Sequence, residues 1–402
     1  MILSAFRRYG HFVRILETTG SNIPNPEFFG PDCRFLTEIY ISGNVITPTR
    51  VMAFIENNRH IHTLSISEIY PRLDELISDL KIFRHLPALK DLRLNDFKIT
   101  RQSSWDEILE CGQRLDRLKC IGLDSTPDNY KIPYNTSIDS TPSQKQHQAI
   151  LKLTSITYRG IPSFGKTLLE HSPNLTYLQS YDIQLIQDLI HRHHSGYPLQ
   201  LQHLLLDGYY PGKTDSSVLE EFIRVCGESS GLKTFKVPVS NTINNVLSGL
   251  VTFHADTLEE VELRSFQSVI VHGVHELLGK CSRLRILKLE GQTIPMEELV
   301  HSPWVCNGLQ VLELHVEEEE KLITNRDEDA SGKGNKSFEK NSKLRRRVWN
   351  QIGEMTNLER LHIHQHPIRS SLDKCYTLTM SHGGLENLLK LSWLDKFGID
   401  SR

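Results

Sequence analysis

No stretch of this chain is long and apolar enough to cross a bilayer as a helix, and the N-terminal MILSAFRRYGHF is too short, and too basic at its end, for a secretory leader. Net charge is nearly absent as well. With 46 Lys and Arg against 49 Asp and Glu, no global field argues for nucleic acid or a membrane surface as partner. The seven cysteines lack the regular spacing of a disulfide framework and read as buried thiols of a reducing compartment, cytoplasm or nucleus. Catalytic signatures are missing too: serine and histidine are plentiful, but none sits in a nucleophile-elbow context. The chain reads as a non-enzyme with no cofactor.

What is present is a spacing. Leu284 to Ile294, LRILKLEGQTI, places leucines at Leu284, Leu287 and Leu289 and an apolar residue at Ile294, the L-x-x-L-x-L pattern of a leucine-rich repeat. The same spacing starts at Leu36, Ile61, Leu89, Leu115, Leu153, Leu175, Leu201, Leu232, Leu258, Leu284, Leu309, Leu358 and Leu394, thirteen units with a common step near 26 residues. That step lies inside the 20–29 residue window of leucine-rich repeats, and longer steps read as insertions. Within a unit the second and third apolar positions point to one face of a short strand and the residues between them to the other. One strand cannot bury its apolar face alone, so the units must stack. The expected fold is an α/β right-handed solenoid, a horseshoe with a parallel sheet on the concave face and helices on the convex face. Helix starts are expected at Thr47-Pro48, after Asp215, and at Ser104, where Glu107 three residues on completes a capping box.

Residues 1–31 read as an N-terminal cap or partial repeat, with His11 to Leu16 as a candidate edge strand. The solenoid then runs over 32–402, with insertions at 124–148 and 317–343. The second of these is low in apolar residues and reads as largely disordered. It begins with the acidic run Glu317 to Glu320, and the basic run Lys343-Leu344-Arg345-Arg346-Arg347 follows. Such a basic cluster is either a nuclear-import signal or the solvated start of an outer helix.

Apolar ninth positions (Ile69, Phe97, Leu123, Ile161, Ile183, Tyr209, Phe266, with Asn44 the exception) go with cysteines three residues ahead of repeat starts, at Cys33, Cys281 and Cys306. That combination resembles the cysteine-containing class of F-box/leucine-rich-repeat and ribonuclease-inhibitor-like proteins. The C-terminal RRRVWNQIGEMTNLERLHIHQHP and LTMSHGGLENLLKLSWLDKFGI resemble the terminal repeats of a large fungal group of that kind. The resemblance implies a protein-binding solenoid. With an F-box it would hold substrate for a cullin ubiquitin ligase engaged through the Skp adaptor; no helical run of F-box type is read ahead of the repeats. The alternative is an interaction scaffold with no ligase link.

The concave face follows from the residues between the leucines. Asp91, Arg93, Asn95, Arg117, Lys119 and Arg159 form a mostly basic band, and Tyr177, Gln179, Tyr181, His203 and Asp207, with Tyr209 and Tyr210 beyond, form a central one. Glu260, Glu262, Arg264, Lys288, Glu290 and Glu313 form a mostly acidic band, followed by Arg360, His362 and His364. Aromatics flanked by opposite charges suit a protein partner. The candidate contact residues are therefore Arg93, Arg117, Lys119, Arg159, Tyr177, Tyr181, His203, Tyr209, Glu260, Glu262, Glu290 and Glu313.

Two other patterns compete for attention. Gly160 to Thr167, GIPSFGKT, matches the phosphate-binding pattern G-x-x-x-x-G-K-[ST] between a strand and a helix. There Lys166 would reach a terminal phosphate and Thr167 a magnesium ion. Against this, Ile161 is the ninth-position residue of its repeat, and a solenoid leaves no room for a doubly wound sheet, so nucleotide binding stands as a remote alternative. His362, His364 and His366, and His191, His193 and His194, lack a carboxylate or cysteine at ligand spacing, so no metal site is expected.

Overall fold

The computed structural model of the chain describes residues 9–19, 33–42, 48–67, 73–97, 99, 101–122, 150–160, 162–207, 216–239, 243–317, 334–365 and 396–398. They belong to two compact units, Met1–Gln200 and Leu201–Arg402. The first unit runs β1 (Ile15–Thr19), β2 (Glu38–Ser42), α1 (Pro48–Asn57), β3 (Thr63–Ser67), β4 (Asp91–Phe97), α2 (Gln102–Gly112), β5 (Arg117–Gly122), β6 (Ser155–Arg159), α3 (Pro162–His171), β7 (Tyr177–Ser180) and α4 (Gln184–His194). The second runs β8 (His203–Leu206), α5 (Ser216–Ser229), β9 (Thr234–Val239), α6 (Ile243–His254), β10 (Glu260–Ile270), α7 (Val274–Lys280), β11 (Ile286–Pro295), β12 (Val311–Glu317), α8 (Gly334–Glu354), β13 (Arg360–Gln365) and β14 (Lys396–Gly398).

Within each unit every strand pairs in parallel with the next, so each is an α/β leucine-rich-repeat solenoid. Register puts the repeat's second apolar position in one row. In the first unit that row is Ile39, Leu64, Leu92, Leu118, Ile156 and Leu178. In the second it is Leu204, Phe235, Val261, Leu287, Leu312 and Leu361. All are buried, as are the first leucines of every described repeat. The thirteenth start, Leu394, lies outside the described residues, although β14 pairs with β13 in the frame it sets.

The rows are locked by one hydrogen-bond device. The residue after each first leucine lends its carbonyl to two successive amides of the next repeat. Arg14, Thr37, His62, Lys90, Asp116 and Thr154 do this in the first unit, and Gln202, Lys233, Glu259, Arg285 and Gln310 in the second, at 2.7–3.2 Å. Arg14 belongs to this series, so its repeat starts at Val13. The N-terminal strand accordingly begins at Ile15, and Gly10–Phe12 is a short 3-10 turn ahead of it. At the other insertion, α8 starts at Gly334, so the last residues of the expected 317–343 stretch are helical; 124–148 lies outside the described residues. Among the described residues no helix is long and apolar enough to cross a membrane.

Two expectations fail for reasons the stacking supplies. The capping box at Ser104 and Glu107 does not form: α2 begins at Gln102, after Arg101, with no cap from its own side chains. Asp74, from the preceding coil, takes that place. Its Oδ1 accepts the Arg101 amide at 3.3 Å and the buried Ser104 hydroxyl at 2.6 Å. Glu107 turns instead to Arg84 of that coil at 2.9 Å.

The phosphate-loop reading of 160–167 also falls. In a phosphate loop the Gly-Lys-Thr opens the helix. Here α3 already starts at Pro162, leaving Gly165, Lys166 and Thr167 inside it. Thr167 donates its hydroxyl to the Ser163 carbonyl, and Lys166 lies 4.0 Å from Glu170 one turn on. The glycines have a packing reason. A Cβ on Gly160 would stand 2.8 Å from the Tyr158 hydroxyl, and one on Gly165 would stand 2.8 Å from Tyr158 and 2.9 Å from Leu185. Tyr158 is buried on β6 against Phe164, which in turn packs on Trp105 of α2 at 4.2 Å between ring centres. Gly165→Ala is therefore expected to lower stability by roughly 1–3 kcal/mol through overpacking. Lys166→Ala should leave the melting temperature, and its indifference to Mg-ATP, unchanged in a thermal-shift assay.

Histidine takes part in the coil-to-coil bonding as well. In the first unit the Leu36 amide donates to Asn58 Oδ1 at 3.1 Å, a side chain reaching back from the next coil. In the second, the Leu232 amide donates to His254 Nδ1 at 3.0 Å, and His254 Nε2 bonds the Ile223 carbonyl at 2.8 Å. This ring must be neutral, one nitrogen accepting and the other donating. Burial pushes its pKa down to about 4 despite the Ile223 carbonyl. A histidine free in the unfolded chain titrates near 6.5, so the unfolded state takes up its proton first. The stabilising contribution is fully present above about pH 6.5 and is lost as pH falls toward 4. Urea titrations at pH 7.5 and 5 should show wild type losing stability on acidification by ~2 kcal/mol more than His254→Gln. Equal losses would remove His254 from the account.

Candidate binding face

The side chains alternating with the buried rows line the open face of each sheet. In the first unit Arg93 grips Asp91 with two bonds, of 2.8 and 3.1 Å, and lies 6.0 Å from the centre of the Tyr40 ring. The Tyr40 hydroxyl donates to Glu38 at 2.8 Å. Next to this pair, Arg117 and Lys119 on β5 make no ion pair with any described residue. They border a recess of about 540 Å³ lined also by Asp91, Arg93, Thr157 and Tyr177. Thr157 donates to Gln179 across the strands at 3.3 Å. Arg159 stacks over Tyr181, 5.2 Å from its ring centre. The sequence-derived residues Arg93, Arg117, Lys119, Arg159, Tyr177 and Tyr181 thus share one face of one unit. Asp91 cancels the charge of Arg93, so the local excess is carried by Arg117 and Lys119.

The second unit behaves differently. Glu262 is 7% exposed, and cations crowd it: Arg264 bonds it directly, with Lys236 at 3.7 Å and Lys288 at 3.8 Å. Lys236 also reaches Glu260 at 2.6 Å, and Arg264 reaches Glu290 at 3.5 Å. Burial alone would raise the Glu262 carboxyl, but the three cations hold it below the ordinary carboxylate range. The expected acidic band is therefore an ion-pair network in which Lys236, Arg264 and Lys288 match Glu260, Glu262 and Glu290. Lys236 is the residue the sequence reading passed over. It occupies on β9 the same strand position as Glu262 on β10, with which it is in register. Glu313 is half-buried on β12, in register with His362. His203 on β8 bonds the Thr234 hydroxyl at 2.9 Å, and burial lowers its pKa. Tyr209 lies outside the described residues.

A second group was missed altogether. Among the described residues, the histidines and carboxylate that come within metal-ligating reach are His275, Glu298 and His301. His191, His193, His194 and His362 are not among them, and His366 lies outside the described residues. The signal was in the repeat frame: His272 and His275 in one coil, and Glu298 and His301 in the next, occupy the same two positions one step apart.

No family model and no curated protein matches the chain. Among solved structures it is similar to the yeast Rad7 and Elc1 complex (12% identity, 80% of this chain and 85% of that chain, TM-score 0.45). It is also similar to the leucine-rich-repeat protein LegL7 of Legionella pneumophila (11% identity, 96% of this chain and 100% of that chain, TM-score 0.38). A third is the TLR13–ssRNA13 complex (16% identity, 75% and 43%, TM-score 0.33). At these values nothing about partners passes to this chain.

Proposed function

We propose that the chain is a protein-interaction module whose first unit holds an acidic segment of a partner on the open sheet face between β4 and β7. The observation that carries this is the recess beside Arg117 and Lys119, two cations that form no ion pair with a described residue and are rimmed by Asp91–Arg93 and Tyr177. Cations on a preformed face attract carboxylates and set the on-rate and specificity of docking, while tyrosines supply rigid contact area. The second unit's open face contributes less, because its charges are already matched among themselves and Glu262 is desolvated.

The resemblance of the C-terminal repeats favours substrate recognition for a cullin ubiquitin ligase as the setting, with a scaffold free of any ligase link as the alternative. Cys33, Cys111, Cys120, Cys226, Cys281 and Cys306 are buried, and no disulfide joins them among the described residues, which suits the reducing cytoplasm or nucleus. Pull-down with the Skp adaptor separates the two settings without bearing on the binding face. For the face itself, a displayed peptide library panned on the full chain should enrich sequences rich in Asp and Glu. The double variant Arg117→Glu/Lys119→Glu, both at solvent-reached positions, should weaken the selected peptides at least tenfold with an unchanged melting curve. Enrichment with no acidic bias, or selected peptides insensitive to that variant, would refute the assignment.

A further inference from the structure

We infer that His275, Glu298 and His301 form a site for a divalent transition-metal ion, Zn²⁺ being the ion that best fits two imidazoles and a carboxylate. Their ligand atoms lie within 4.8 Å of one another. Metal–nitrogen and metal–oxygen bonds of about 2.0–2.2 Å place tetrahedral ligands roughly 3.3–3.6 Å apart, so small side-chain rotations close the set. The carboxylate is already oriented for the task. Glu298 Oε2 lies 2.8 Å from His275 Nδ1 and 3.3 Å from the Gly273 amide that donates to it, and Oε1 lies 3.0 Å from His272 Nδ1. With Oε2 on the ion, His272 would hold the other oxygen, the kind of outer contact that fixes a metal ligand's orientation.

The backbone fixes the rest. The Ser302 hydroxyl donates to the His275 carbonyl at 3.2 Å, which ties the coil carrying His301 to the one carrying His275. The His275 and His301 rings stand 5.1 Å apart between centres. Glu298 and His275 are largely sheltered, with side-chain exposures of 14% and 26%, while His301 is exposed and leaves a side open to water or a fourth ligand. In sequence the motif is H-x-x-H at His272 and His275 and E-x-x-H at Glu298 and His301, separated by one repeat step so that stacking sets one pair on the other. Two adjacent coils of the same unit would thus be bridged by one ion.

The alternative account is a hydrogen-bonded histidine–glutamate cluster with no ion. Titration of the full chain with zinc chloride by calorimetry, and with cobalt chloride by visible absorption, decides between them. The expected result is one ion per chain at micromolar or tighter affinity, ligand-field bands of a His/Glu cobalt site, and a raised melting temperature. His301→Ala, a change at an exposed position, should weaken zinc binding at least tenfold, as should Glu298→Gln, and His272→Ala should weaken it less. The pair His193→Ala/His194→Ala should leave it intact. Absence of saturable zinc binding overturns the inference, and so does a wild-type affinity in His301→Ala.

Discussion

A single carbonyl per coil, shared by two amides of the next, sets the geometry on which everything else rests. The residues that provide it in the first unit are Arg14, Thr37, His62, Lys90, Asp116 and Thr154, which have nothing in common as side chains. The bond is purely main-chain, so the position is free to vary while the step between coils is not. Each fixed step stacks equivalent residues directly on one another. Apolar residues in the leucine columns then bury their faces continuously, which no single repeat could do. The residues between them form columns of their own on the open face, and the character of that face is decided column by column.

This explains why the two units, built on the same plan, present different electrostatics. A carboxylate taken out of water is costly unless it is paired, and losing one partner of such a group leaves the charge uncompensated. Glu262 meets that condition only because Lys236 and Lys288 occupy the same column on either side and Arg264 bonds it from its own strand. In the first unit the corresponding column from β3 to β6 reads Ser65, Arg93, Lys119 and Thr157, which supplies cations without facing carboxylates. Asp91 relieves Arg93 from the same strand, and Lys119 stands between Arg93 and the Thr157 hydroxyl with no carboxylate in its column. An excess of one sign in a recess is a recognition feature, whereas a matched network is chiefly a contribution to local order.

The repeat frame was legible in the sequence because a buried row tolerates only apolar residues, and twelve starts fall where their spacing put them. What was not legible is whatever depends on the neighbouring coil. Ser104 and Glu107 carry a sound local signal for a capping box, yet Asp74 and Arg84, some thirty and twenty-three residues earlier, claim both side chains. GIPSFGKT satisfies a phosphate-binding pattern letter for letter, but its two glycines answer to the bulk of Tyr158, one strand position that departs from the small or aliphatic norm of its row. Lys236 belongs to the repeat that starts at Leu232, which contributed no residue to the bands read from the sequence. Its partners, Glu260 and Glu262, stand on the neighbouring strand.

The same consideration separates the roles that polar side chains take in this fold. Asn58 and His254 both serve a first-leucine amide of the coil before them, Leu36 and Leu232, and both are buried. They sit where a helix ends and the chain turns back into the next strand, a place in which an unpaired amide would cost roughly 1–3 kcal/mol. A bulky polar group there is a structural necessity whatever its chemistry, and a histidine so placed is held neutral by burial. His275 and His301 sit on the helical side too, but in columns where no backbone group requires them, and their neighbour Glu298 is drawn toward the imidazoles and the Gly273 amide. Histidines of the same chain are thus told apart by what the coil-to-coil bonding already demands of their column. Where the backbone has a use for the side chain, that use accounts for it; at His275 and His301 it has none, and the neighbouring Glu298 carboxylate is what sets their role.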